Sequence, residues 1–105
     1  MKAHKAITPR QEQIAERSLY GAILTLRNSE ECREFFHDLC TPAELQAMAD
    51  RWVVVEMLKR GLSYREINQR TGVSVTTVGR VARYLTAGNG GYARAMQRLE
   101  AATHG

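Results

Sequence analysis

The chain reads as an all-α protein of six helices, and three observations support that reading. Apolar residues recur at spacings of three and four along most of its 105 residues. Strand-like alternation is missing, because the only concentrated valines, Val53 to Val55, lie inside a helical pattern. Helix start signals repeat along the chain: Ser or Thr followed three residues later by Glu or Gln, or Pro at a first helical position.

The elements follow in order. Thr8 is an N-cap, Pro9 stands at the first helical position and Gln11 completes a capping box, so a helix is expected over 9–27. Its Ile14, Leu19, Tyr20, Ile23, Leu24 and Leu26 are too many for one narrow stripe. Such breadth suggests burial on two sides, as when a helix also meets a partner subunit. A short helix over 30–39 places Cys32, Phe35, Phe36 and Leu39 on one face. Thr41-Pro42-Ala43-Glu44 announces a third helix, which runs through Leu45, Met48, Ala49, Trp52, Val55 and Met57 to Arg60 and stops at Gly61. Trp52 is read as core.

Residues 63–85 have a more specific layout. Ser63 and Glu66 form a capping box, and Ile67 anchors a helix over 64–70. Gly72 stands where the chain must turn through a left-handed conformation. Ser74 then caps a second helix, whose Val75, Val78, Val81, Ala82 and Leu85 make one apolar face. Two short helices joined by such a turn form a helix-turn-helix, whose second helix enters the DNA major groove. The inward set is Ile67, Val73, Val78 and Val81; Asn68 departs from the pattern, since a small apolar residue is usual there. Residues 87–91 are read as a turn or hinge, and 92–102 as a last helix carrying Tyr92, Met96 and Leu99.

Charge points the same way. Between Lys59 and Arg83 there are six basic residues and one acid, Glu66, a balance of +5, whereas residues 1–58 carry −2 and 84–105 carry +1. The excess therefore falls on the segment with DNA-reading geometry. Ser74, Thr76, Thr77 and Arg80, with Val75 beside them, are expected to meet bases or nearby phosphates. Arg65, Arg70 and Arg83 would hold the backbone, and Tyr64 would touch phosphate. The expected partner is double-stranded DNA.

The rest bounds the reading. The chain is the size of one domain: a basic arm over 1–8, expected to be flexible and solvated, whose Lys2 and Lys5 are joined by Arg10 just beyond it, then a single helical domain over 9–105. No long apolar run or secretory signal is present, so a cytoplasmic location is expected. Cys32 and Cys40 are read as buried reduced thiols, with no metal site; His4, His37 and His104 are scattered and carry no chemistry. Nothing points to an enzyme, and a recombinase would need a catalytic domain for which there is no room. The rival is a helical dimer that uses the same basic surface to bind an acidic protein.

These residues resemble the Trp repressor superfamily. The resemblance is carried by Thr41-Pro42-x-Glu44, Arg51, Val55-Glu56-x-Leu58-x-Arg60-Gly61, Ser63-x-Arg65-Glu66 and Gly72. Tyr64 to Ile67 and Leu85 to Tyr92 are especially similar to its YerC/YecD-type branch. The resemblance implies an intertwined helical homodimer acting as a transcriptional regulator of the repressor type. Its palindromic operator would have half-sites roughly 34 Å apart. It also implies a corepressor, L-tryptophan or another small molecule, at Thr41, Arg51, Arg80, Val81 and Tyr84, the two arginines being the clamp. The chain departs from the Trp repressor where Val81 replaces a glycine that leaves room for indole, where Tyr84 replaces a serine, and where Gly79 replaces a threonine. A third expectation is therefore no cofactor at all, with Val81 and Tyr84 filling the site themselves.

Overall fold

A computed structural model describes residues 7–104. Residues 1–6, and with them Lys2, Lys5 and most of the expected basic arm, lie outside the described residues. The six helices are α1 (Pro9–Ile23), α2 (Ser29–Leu39), α3 (Pro42–Lys59), α4 (Tyr64–Thr71), α5 (Val75–Ala87) and α6 (Gly91–His104). The chain divides into two compact units, Met1–Thr41 and Pro42–Gly105.

In the first unit, α1 starts on the expected capping box. The Gln11 amide donates to Thr8 Oγ1 at 3.1 Å and the Thr8 amide to Gln11 Oε1 at 2.8 Å. The helix stops at Ile23, short of the expected Arg27, because local bonds compete with the helical ladder. The Thr25 hydroxyl donates to the Ala22 carbonyl at 2.6 Å, and the Thr25 amide turns to the same carbonyl at 3.1 Å. The second helix begins one residue before the expected Glu30, with Asn28 as its cap. Asn28 Oδ1 accepts from the Glu31 amide and Glu31 Oε1 from the Arg27 amide, both at 2.9 Å. The Phe35 and Phe36 rings meet edge-on, centroids 5.4 Å apart, whereas Leu39 is exposed. Cys32 and Cys40 are free thiols and only half-buried. No residue of α1 or α2 is buried, and Leu24 is 84% exposed.

The second unit holds the core. Val54 and Val55 of α3, Ile67 of α4, and Val78 and Val81 of α5 form one fully buried cluster. Trp52, Met57, Leu58, Leu62, Val73, Leu85, Tyr92 and Met96 pack around it. Each buried Val or Ile contributes about 1.5–3 kcal/mol relative to exposure. Helix α5 lies at the centre, touching α3, α4 and α6. Trp52 packs on the cluster as expected, its ring centroid 6.3 Å from that of Tyr92.

Three expectations here need correction. Val75 does not join the apolar face of α5: it is 50% exposed, because the first turn of the helix projects beyond the layer set by Val78 and Val81. The expected turn over 87–91 is shorter, since α5 continues through Ala87 and α6 already starts at Gly91. Leu99 is largely exposed, leaving Tyr92 and Met96 to attach α6 to the core. Gly88 caps α5 where its amide donates to the Tyr84 carbonyl at 3.1 Å, and a Cβ there would collide with that same carbonyl oxygen. No helix among the described residues is long and apolar enough to cross a membrane.

Candidate nucleic-acid interface

The α4–turn–α5 segment is fixed by a dense set of local bonds. Ser63 Oγ accepts from the Glu66 amide at 3.1 Å while Glu66 Oε1 accepts from the Ser63 amide at 3.0 Å. These bonds to Ser63, backbone first and side chain second, together with the nearby Arg70 charge, hold the Glu66 carboxyl below its ordinary range. At the far end, Gly72 takes φ 77°, the left-handed conformation expected of it, and its amide donates to the Asn68 carbonyl. Asn68, the departure noted in the sequence, closes the turn: its Nδ2 donates to the Val73 carbonyl at 2.9 Å. The Thr71 hydroxyl donates to the Ile67 carbonyl at 2.7 Å and accepts from the Val73 amide at 3.0 Å. Sequence reasoning missed both, because a polar residue inside a short helix carries no periodic signal.

Helix α5 is thereby presented with one side locked and the other free. Val78, Val81 and Leu85 face inward; Val75, Thr76, Arg80 and Arg83 are exposed, at spacings that put them on the outer surface. Ser74 Oγ accepts from the Thr77 amide at 3.1 Å and donates to Thr77 Oγ1 at 3.0 Å, so its hydroxyl is committed to the cap. The Thr77 hydroxyl keeps its own proton to donate. Tyr64, at the start of α4, reaches the middle of α5: its Cε2 lies 3.7 Å from where a Cβ on Gly79 would stand. Arg65 and Arg70 are exposed on α4. Arg65, Arg80 and Arg83 form no ion pair with a described acid, and Arg70 lies near the Glu66 charge without an ion-pair contact.

Within the second unit, no described cleft is lined by all of Arg51, Arg80, Val81 and Tyr84. Arg51, half-buried, lines a cleft of about 240 Å³ with Ala47, Asp50, Val73, Ser74 and Thr77. It makes no hydrogen bond or ion pair with a described residue, and Asp50 accepts from Gln46 Nε2 instead. Arg80, Val81 and Tyr84 do not line that cleft. Val81 is 1% exposed within the core cluster. Arg80 lies over the Tyr84 ring, its guanidinium carbon 5.4 Å from the centroid. Tyr84 itself lines a separate, shallow cleft of about 410 Å³ with Asn89, Gly91 and Tyr92. Thr41 ends the first unit, directly before α3.

Compared with known proteins, residues 15–100 match the family model described as Trp repressor protein. The chain belongs to the Trp repressor family. That family consists of DNA-binding transcriptional regulators rather than enzymes. Uncharacterized protein YerC of Bacillus subtilis (strain 168) is 44% identical over 82 residues, 78% of this chain and 79% of its own. A TrpR-like protein from Eubacterium eligens ATCC 27750 superposes with a TM-score of 0.81 at 36% identity, over 89% of this chain and 96% of that one. A candidate Trp repressor from Staphylococcus aureus gives 0.80 at 40% identity, over 90% and 96%.

Proposed function

We propose that this chain is a homodimeric transcriptional repressor that occupies a palindromic operator by laying α5 in the major groove. The observation that carries the reading is the two-sided character of α5. One face is immobilised by Val78 and Val81, while the other offers Thr76, Arg80 and Arg83 to solvent, with no acid among the described residues in ion-pair range of either arginine. Thr76 and Arg80 read base edges; Arg65, Arg70 and Arg83 hold phosphates; Tyr64 lies against the backbone. The first unit supports a dimer, because no residue of α1 or α2 is fully buried in one chain and their exposed apolar side chains need a covering surface. A two-fold pair of reading heads matches an operator with two-fold symmetry. Repression needs no chemistry beyond excluding polymerase, and the site of action is the cytoplasm, at the nucleoid.

The same proposal takes operator binding to be independent of L-tryptophan. The cleft at Arg51 is not lined by Arg80, Val81 or Tyr84. Val81 could contact a ligand only after leaving the core. Calorimetric titration with tryptophan, with and without DNA, is expected to give no heat beyond dilution; a saturable signal would overturn this part.

The DNA reading is tested by mobility shift against genomic fragments at low ionic strength, followed by a salt series. Each neutralised phosphate contributes about −0.9 to the log–log slope. Arg65→Ala is expected to weaken binding to all sequences alike, and Thr76→Ala to relax preference at one position. No retarded band at any protein concentration would refute the reading, and retention of an acidic protein in its place would favour the interaction module.

A further inference from the structure

We infer that Tyr84 is a positioning residue for DNA recognition: its ring is the platform that holds the Arg80 guanidinium ready for the operator. The inference rests on the proposed role of Arg80 at the DNA and adds what orients that side chain.

Arginine is a costly reader when it is free, because its long side chain loses much rotamer freedom on docking. Arg80 is exposed and has no acidic partner among the described residues, so no ion pair fixes it. The Tyr84 ring is the neighbour it does have. The two stand four residues apart, one above the other on the same side of α5, and a helical side chain leans back over the preceding turn. That lean carries the Tyr84 ring beneath Arg80, with the guanidinium carbon 5.4 Å from the ring centroid, inside cation–π range. A guanidinium held over a ring makes no hydrogen bond to it and so keeps its N–H groups for a guanine or a phosphate.

The backbone that carries the ring is fixed at the end of α5. The Tyr84 carbonyl accepts from the Gly88 amide at 3.1 Å, and Gly88 approaches so closely that no side chain fits there. Beyond the ring, Asn89, Gly91 and Tyr92 border the same shallow cleft, and Tyr92 is seated against Trp52. Tyr84 is 45% exposed, too open for its ring to act chiefly as core filling. Its inner neighbour Val81 performs that task.

The experiment uses the full chain and two duplexes of equal length: one selected from a random pool by the wild-type protein, and one of mixed sequence. Affinities are read by fluorescence anisotropy, with circular dichroism melts to confirm folding. Tyr84→Phe keeps the ring face and is expected to bind the selected duplex like wild type. Tyr84→Leu keeps apolar bulk without the ring and is expected to bind it about two- to fivefold more weakly, with the mixed-sequence duplex little changed. Arg80→Ala is expected to lose more, and adding Tyr84→Leu to it should change nothing further. Tyr84→Leu binding like wild type, an equal loss in the Arg80→Ala background, or Phe failing as badly as Leu would each overturn the inference while leaving the operator reading intact. Undiminished binding by Arg80→Ala would remove both the role of Arg80 and its platform. Absence of binding by the wild-type protein would refute the operator reading itself.

Discussion

Replacing Asn68 by alanine sets two effects of opposite sign against each other, and the turn geometry decides between them. Asn68 lies within the eight-residue helix α4, where alanine is the better helix former by about 0.6 kcal/mol. Judged by propensity alone, Asn68→Ala would stabilise the protein. Its Nδ2, however, donates to the Val73 carbonyl at 2.9 Å in a part-buried position, across the turn that aims α5. Removing the donor leaves that carbonyl with a lost partner and partial desolvation, a cost of about 1–3 kcal/mol. The balance is a net destabilisation of about 0.5–2 kcal/mol. At about 4–8 °C per kcal/mol for a domain of this size, that lowers Tm by several degrees. Asn68→Asp should be worse than alanine, because it turns an acceptor toward the carbonyl in place of a donor. Urea unfolding at one fixed protein concentration checks the order wild type, then Ala, then Asp; fixing the concentration removes the mass-action contribution of a dimer. An alanine variant as stable as wild type, or more so, would show that the bond across the turn contributes nothing and that propensity governs α4.

Gly79→Ala tests the middle of α5: the new methyl would meet only Tyr64 Cε2, at an ordinary 3.7 Å, so a gain of about 0.5–1 kcal/mol in chemical denaturation is expected. Glu66 predicts an acid-side effect whose sign follows from its cause. Bonds to Ser63 lower its folded carboxyl below the ordinary 4.5, so its contribution is complete above that pH and is lost as pH falls through the folded value. Glu66→Gln, which keeps an acceptor but cannot titrate, should show a flatter fall in stability below about 4.5; identical acid limbs for the two proteins would argue against a stabilising capping box.

Much of this molecule is legible in its sequence where the signal is local. Thr8 with Gln11, and Ser63 with Glu66, form the reciprocal caps that their spacing announces, and Gly72 takes the left-handed turn. Asn28 with Glu31 obeys the same logic, which places the start of α2 one residue before the expected Glu30. Less was legible where side chains compete. The Thr25 hydroxyl ends α1 early by bonding its own preceding turn, and Val75 leaves the apolar face because periodicity does not say where the core stops. The interface shows the same split. Charge and spacing place Arg65, Arg70, Arg80 and Arg83 on exposed surface, whereas the commitment of Ser74 to its cap and the stacking of Arg80 on Tyr84 depend on directions that no linear pattern records.

The division of α5 into a locked face and an open one also bears on how such a protein diversifies. Because Val78 and Val81 pack the helix onto its neighbours from within the buried cluster, the outer positions 75, 76, 80 and 83 can vary without loosening the scaffold. A duplicated gene could therefore drift toward a different target sequence by exchanging a few surface side chains, with the hydrophobic cluster inherited unchanged.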